Sequence, residues 1–221
     1  MIPTWQRTCT MDISDKCTLE CPTCLRQGYR KRGEVIPGGD LTPERFEKLI
    51  HYFKGFSFCG QISDPIFNPY LAELLKMCKD NHKSISVHTA ASHRKKEWWN
   101  EVFDANTNAR WMFGIDGLPY ESFLHRKNQD GEHLFNMMLL AKSKGIKVTW
   151  QYIVFSYNED HIEEATELAL KHDLVLRIMA SARWNDTRKR SSSSSTCGLA
   201  TLTPSSRITA EKSSWVTLPK A

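Results

Sequence analysis

Three cysteines stand within one run of eight residues, Cys17-Thr-Leu-Glu-Cys21-Pro-Thr-Cys24. Thiols this close can face a single inorganic centre, and two chemistries compete for it. A structural zinc ion takes four protein ligands, so it would need a further one from Cys9, His51 or another residue. No second Cys or His pair follows at a matching separation. A 4Fe-4S cube has four irons, and three thiolates leave one iron open. An open coordination position separates a catalytic metal centre from a closed structural one. The total of seven cysteines is odd and three are clustered, which fits thiolate ligation in a reducing compartment better than a disulfide framework. Cys9, Cys59 and Cys78 fall in strands or on an apolar helix face and are expected to be buried, Cys59 nearest the site. The eight histidines show no i, i+4 pair on one helix, so no second metal site is indicated, and His88 reads as a packed strand residue.

The elements that must position the thiols alternate along the chain. Strand-like runs occur at 8–13, 55–62, 84–89, 110–115, 147–155 and 174–179, separated by stretches of helical spacing. Thr42-Pro43 opens one helix as N-cap and first residue, and Asn68-Pro69 opens another. Further helices are expected at about 94–104, 131–143 and 158–171, and Lys144-Gly145 ends one of them. Strand and helix in alternation imply an α/β fold with a parallel sheet, either a full or partial barrel or an open doubly wound sheet. Six units are too few for a closed eightfold barrel. Either way the chemistry belongs at the carboxyl ends of the strands, and the three cysteines follow the first strand directly. The pattern stops after Trp184: residues 1–184 read as one core domain and 185–221 as a Ser-rich basic tail, linker or disordered.

The Cys-x3-Cys-x2-Cys loop after a first strand resembles the signature of the radical S-adenosylmethionine (radical SAM) superfamily, over roughly residues 8–182. The resemblance implies a partial (β/α)6 barrel and a 4Fe-4S cluster on Cys17, Cys21 and Cys24, with S-adenosylmethionine on the open iron. In the family a segment after the second strand binds the methionyl ammonium, and here it corresponds to Cys59-Gly-Gln-Ile-Ser63-Asp64-Pro65. Asp64 would pair with that cation, and Ser63 replaces a usual glycine. Thr89-Ala90-Ala91-Ser92 is similar to a Thr-Asn-Gly-Ser segment without its Asn, and Gly114-Ile-Asp116-Gly to Ser-Ile-Asp-Gly. The resemblance places Thr89 and Asp116 on the cofactor side and Arg126 on the cofactor carboxylate, a task that suits a bidentate guanidinium. Gln151 and Asn158 are candidates for the pocket wall, with Tyr152 and Val154 alternating outward. Thr23 stands where the family carries an aromatic before the last cysteine, so only its backbone would reach adenine.

The implied reaction is reductive cleavage of S-adenosylmethionine to methionine and a 5'-deoxyadenosyl radical, which takes hydrogen from a small-molecule or peptide substrate. A flavodoxin or ferredoxin would donate the electron. The alternative is a structural or electron-transfer metal module that does not cleave S-adenosylmethionine. The lone Cys197 of the tail cannot anchor an auxiliary cluster.

Charge supports neither a nucleic acid nor a membrane as partner. The net charge is +5, yet seven Lys or Arg against two acids stand from Arg183 onward, leaving residues 1–182 with 23 of each. Arg188-Lys-Arg190 reads as a solvated run. No segment approaches the roughly 18 apolar residues of a membrane span, and the start lacks the apolar core of a signal peptide, so a cytoplasmic protein is expected.

Overall fold

The computed structural model describes residues 7–180 and the backbone of Trp215 and Val216. Six strands, β1 (Thr8–Met11), β2 (Gly55–Cys59), β3 (Ser84–Thr89), β4 (Arg110–Gly114), β5 (Val148–Ile153) and β6 (Val175–Met179), pair in sequence order, all parallel. Parallel neighbours need a crossover, supplied by α2 (Pro43–Ile50), α3 (Leu71–Asp80), α4 (Lys96–Ala105), α5 (Gly131–Ser143) and α6 (Ile162–Lys171). The sheet is open, with β1 at one edge, which agrees with a partial rather than a closed barrel. A short β7 (Trp215–Val216) pairs antiparallel with β6, a strand the sequence pattern did not announce because two residues carry no periodicity. The remainder of the tail expected at 185–221, with Cys197, lies outside the described residues. Among the described residues no helix is long and apolar enough to cross a membrane.

The start signals act as expected. Thr42 Oγ1 accepts from Arg45 N at 3.5 Å with Pro43 opening α2, and Asp130 Oδ1 accepts from His133 N at 2.9 Å to cap α5. Asn68 instead secures the approach to α3, its Oδ1 accepting from Tyr70 N at 2.7 Å. One helix was not anticipated: α1 (Leu25–Arg32), whose sequence has no apolar stripe and holds no buried residue. It starts from the cysteine loop, carries Arg30, Lys31 and Arg32 in its last turn where the helix dipole favours cations, and stops at Gly33 in the left-handed region (φ 65°).

Side-chain alternation along the strands separates core from site. The face turned to the helices is fully buried and includes Phe56, Phe58, Val87, Trp111, Phe113 and Trp150. Trp111 packs edge-on against Phe103 and Trp99 of α4, with ring centroids 5.1 and 5.8 Å away. Tyr152 and Val154 join this helix-side layer, as the alternation predicts. The opposite face carries Ser57, Cys59, His88, Met112 and Gln151, all half-buried. This polar concave surface leads up to the carboxyl ends of the strands.

Candidate cofactor site

The loop after β1 is fixed before any ligand is considered. Cys21-Pro-Thr-Cys24 forms a turn in which Cys24 N donates to Cys21 O at 3.0 Å, with Pro22 at the position where a fixed φ favours the turn. Glu20 N donates to Lys127 O (3.1 Å) and Asn128 Nδ2 to Thr18 O (3.1 Å), which ties the loop to the segment after β4. Arg26 Nη1 reaches Asp15 O (2.6 Å) and Ile62 O (3.1 Å), clamping the loops after β1 and β2 together.

Cys17, Cys21 and Cys24 all line one cavity of about 400 Å³, within the range of small-ligand sites. Thr23, Ser63, Asp64, Thr89, Asp116, Arg126 and Gln151 line it too, whereas Asn158, the other candidate for the pocket wall, does not. Cys59 and His88 also border it. Cys59 and Cys9 are half-buried rather than buried, and only Cys78 of that trio is enclosed. Burial pushes the Cys17 thiol up to about 12, helped by Asp64, and it raises Cys21 against the pull of Arg126. Metal loading would have to displace these protons. Burial, then the charges of Arg177 and Arg110, lowers His88, which favours its neutral form.

The segment after β2 is held by hydrogen bonds of its own. Asp64 is 4% exposed, and its Oδ1 accepts from Thr89 Oγ1 (2.8 Å) and Ile66 N (3.2 Å) while Oδ2 accepts from Ala90 N (2.8 Å) and Ala91 N (3.0 Å). A carboxylate offers about four lone-pair sites, and all are taken. Asp64 therefore ties the end of β2 to the end of β3 and has no acceptor left for an ammonium group. Thr89 Oγ1 serves the same tie. Ser63 is accommodated by a residue that the sequence did not single out: Asp12 accepts from Ser63 Oγ (2.6 Å) and from Gln61 N (2.9 and 3.0 Å). Gly60 is obligatory, since a Cβ there would sit 1.8 Å from Ser63 O.

Replacing Asp64 by Asn would turn an amide donor toward groups that already donate. The expected cost is about 1–3 kcal/mol, and thermal unfolding of the protein without cofactor should show it. A carboxylate used only for ligand binding would leave that transition unmoved.

After β4, Asp116 is completely buried and pairs with Arg126, whose Nε lies 2.9 Å from Oδ2 and whose Nη2 lies 3.3 Å from Oδ1. Ile153 N also donates to Oδ1 at 3.0 Å. Burial leaves the Asp116 carboxyl raised, although Arg126 beside it pulls the other way. Burial alone would lower the guanidinium, but Asp116 beside it leaves Arg126 raised, which keeps the guanidinium charged. Gly114 creates the space: a Cβ there would meet Arg126 Nη2 at 2.8 Å and Cζ at 3.1 Å. Gln129 Nε2 holds Ala90 O (2.5 Å) and Gly114 O (2.9 Å) and so joins the ends of β3 and β4. Asn158 is not a wall residue. It is fully buried, accepts from Phe155 N (2.7 Å) and donates to Ile153 O (3.1 Å), shaping the turn after β5.

The sequence profile of the radical SAM superfamily matches residues 11–169, which span this whole arrangement. The chain belongs to the radical SAM superfamily. Enzymes of this superfamily use a 4Fe-4S cluster and S-adenosylmethionine. No curated protein matches the sequence. Among solved structures, Streptococcus suis SuiB bound to S-adenosylmethionine is 12% identical, with a TM-score of 0.65 over 91% of this chain and 44% of SuiB. Native anSMEcpe with bound AdoMet is 16% identical, with a TM-score of 0.61 over 78% of this chain and 50% of the other. TYW1 with a lysine-pyruvate adduct bound is 14% identical, with a TM-score of 0.53 over 78% of this chain and 64% of that one. At these identities the likeness is one of fold, and the chain spans about half the length of SuiB and anSMEcpe or less.

The donor set fits the radical SAM cluster. Three thiols on one cavity wall match three irons, and the remainder of the cavity, with Arg126 on its wall, is left for a ligand of the fourth. Among the described residues no three His, Cys, Asp or Glu side chains converge as ligands of one ion do.

Proposed function

We propose that the chain is a radical SAM enzyme that reductively cleaves S-adenosylmethionine and abstracts hydrogen from a substrate. The observation that carries this reading is the convergence of Cys17, Cys21, Cys24 and the Asp116–Arg126 pair on one cavity at the carboxyl ends of parallel strands. When bound, the cluster supplies the electron that splits S-adenosylmethionine into methionine and a 5'-deoxyadenosyl radical. The chain's own residues bind and orient. Asp116 lies against the Nε and Nη2 edge of Arg126, Nη2 donating to Oδ1 while the 2.9 Å Nε–Oδ2 approach is an ion pair without hydrogen-bond alignment, and the guanidinium lines the cavity, suited to a carboxylate oxygen. The carbonyls of the Gly60–Ser63 turn, held by Asp12, are the acceptors closest in sequence to the place where an ammonium was expected. Gln151 and Met112 form the floor on the concave face, where a substrate would approach.

A peptide is the favoured substrate class, since SuiB is described bound to its precursor peptide SuiA at a TM-score of 0.66 to this chain. A flavodoxin- or ferredoxin-type protein would reduce the cluster in the reducing cytoplasm. The test is anaerobic reconstitution, reduction with dithionite and addition of S-adenosylmethionine. Slow release of methionine and 5'-deoxyadenosine is expected without substrate, and candidate peptides should accelerate it. A cluster-loaded protein that neither binds nor cleaves S-adenosylmethionine would instead be an electron-transfer module.

A further inference from the structure

Helix α1 has no role in the core, yet it is anchored at the site. Its N-cap is Cys24, none of its residues is buried, and it carries Arg26, Arg30, Lys31 and Arg32 with no acid. Arg26 is spent on the loop clamp, whereas Arg30, Lys31 and Arg32 are exposed. From Lys16 to Glu34 five Lys or Arg stand against two acids, within a body of 182 residues whose charges balance. Those acids, Glu20 and Glu34, pair with Arg30 (3.3 Å) and Arg32 (2.6 Å) at the surface, and Lys31 has no carboxylate partner among the described residues. Leu25 and Val35 add exposed apolar surface, at 50% and 90% exposure. At about 1.5 Å rise per residue the basic last turn lies roughly 9–12 Å along the axis from Cys24.

From this we infer that the exposed face of α1 is the docking surface for an acidic one-electron donor protein. The inference rests on the cluster reading above. Charge complementarity sets encounter rate and orientation, and the helix begins at a thiol of the cluster site, so a partner seated here has its redox centre close to the cluster. A nucleic acid is the less favoured occupant: the patch has two of its cations paired, and its one aromatic, Tyr29, lies under Arg32 rather than open for stacking.

The experiment follows bleaching of the cluster in reconstituted full-length protein by stopped flow. Reduced flavodoxin is the acidic donor, and photoreduced 5-deazariboflavin is a small neutral one. Arg30→Glu with Lys31→Glu should slow reduction by flavodoxin about tenfold or more at low salt, with the difference fading as salt rises. Reduction by deazariboflavin should be unchanged, and Lys96→Glu on α4 should behave as the parent with both donors. A zero-length carbodiimide cross-link should join Lys31 to a flavodoxin carboxylate. Equal flavodoxin rates in the parent and the doubly substituted protein at low salt would overturn the inference. So would loss of RNA binding, by anisotropy, in the doubly substituted protein with flavodoxin reduction intact, which would make the face a nucleic-acid surface. Failure of the cluster to form or to accept an electron from deazariboflavin would overturn the cluster reading itself, and the docking surface with it.

Discussion

Replacing Cys21 by Ala is expected to abolish the iron and sulfide content that the parent protein reaches on anaerobic reconstitution, about four of each per chain. Cys21 is the middle of three thiols on one tightly hydrogen-bonded loop, and two remaining thiolates cannot hold a cube. The same should hold for Cys17→Ala and Cys24→Ala. The informative control is Cys59, the other cysteine on the cavity wall. If three thiolates hold the cube and the fourth iron is open, Cys59→Ala keeps the full cluster. Loss of the cluster in Cys59→Ala would mean a fourth protein thiolate closes it, and no iron would remain for S-adenosylmethionine. One firmly held zinc without labile sulfide, dependent on the same cysteines, would support the structural alternative. Iron, zinc and acid-labile sulfide assays on the four variants decide among these outcomes.

What was legible in the sequence follows from the range of the interactions involved. The cysteine loop could be read because its chemistry is local, three thiols within one run beyond a strand. The strands and five helices could be read because one face of each is apolar at a regular period: Phe56 and Phe58 on β2, Leu71, Leu74 and Cys78 on α3. Helix α1 was invisible because nothing in it packs. Its stability comes from end effects, a basic last turn and Gly33, and its start from the cysteine turn.

The partners of Asp64 were hidden in the sequence for a different reason. Three of the four donors to its carboxylate come from the end of β3, more than 20 residues away in sequence, and only the parallel β2–β3 register places them there. Likewise the departure at Ser63 is compensated by Asp12, 51 residues earlier. Gly114, where the resemblance led us to expect a serine, is explained only when Arg126 is seen in the space a side chain would fill. Local motifs announce which residues meet, but the partners that use up their hydrogen-bonding capacity come from the sheet.

The Asp116–Arg126 pair should therefore answer to two separate measurements. Asp116 is completely buried and Arg126 only 14% exposed at its side chain, so removing the guanidinium leaves an ionised carboxylate with Ile153 N as its remaining donor. Breaking a buried pair from one side typically costs about 3–5 kcal/mol. For a domain of this size that lowers the melting temperature by on the order of 10 °C. Arg126→Ala is thus expected to destabilise the protein before any cofactor is added. Combining it with Asp116→Asn should restore most of the loss, because the amide oxygen still accepts from Ile153 N and no charge is left buried. Gly114→Ala should mimic part of the effect by pushing the guanidinium off its partner. Arg126→Lys divides the two roles: it keeps a cation near Asp116 but removes the planar fork. Most of the stability should survive in Arg126→Lys, while S-adenosylmethionine affinity of the cluster-loaded protein falls by about 1.5–3 kcal/mol, roughly ten- to a hundredfold. Calorimetry on the cofactor-free proteins and titration of S-adenosylmethionine into the loaded ones read these apart. An unchanged melting temperature in Arg126→Ala would show that burial wins and Asp116 takes up a proton once its partner is gone, and an unchanged affinity in Arg126→Lys would remove Arg126 from the cofactor carboxylate.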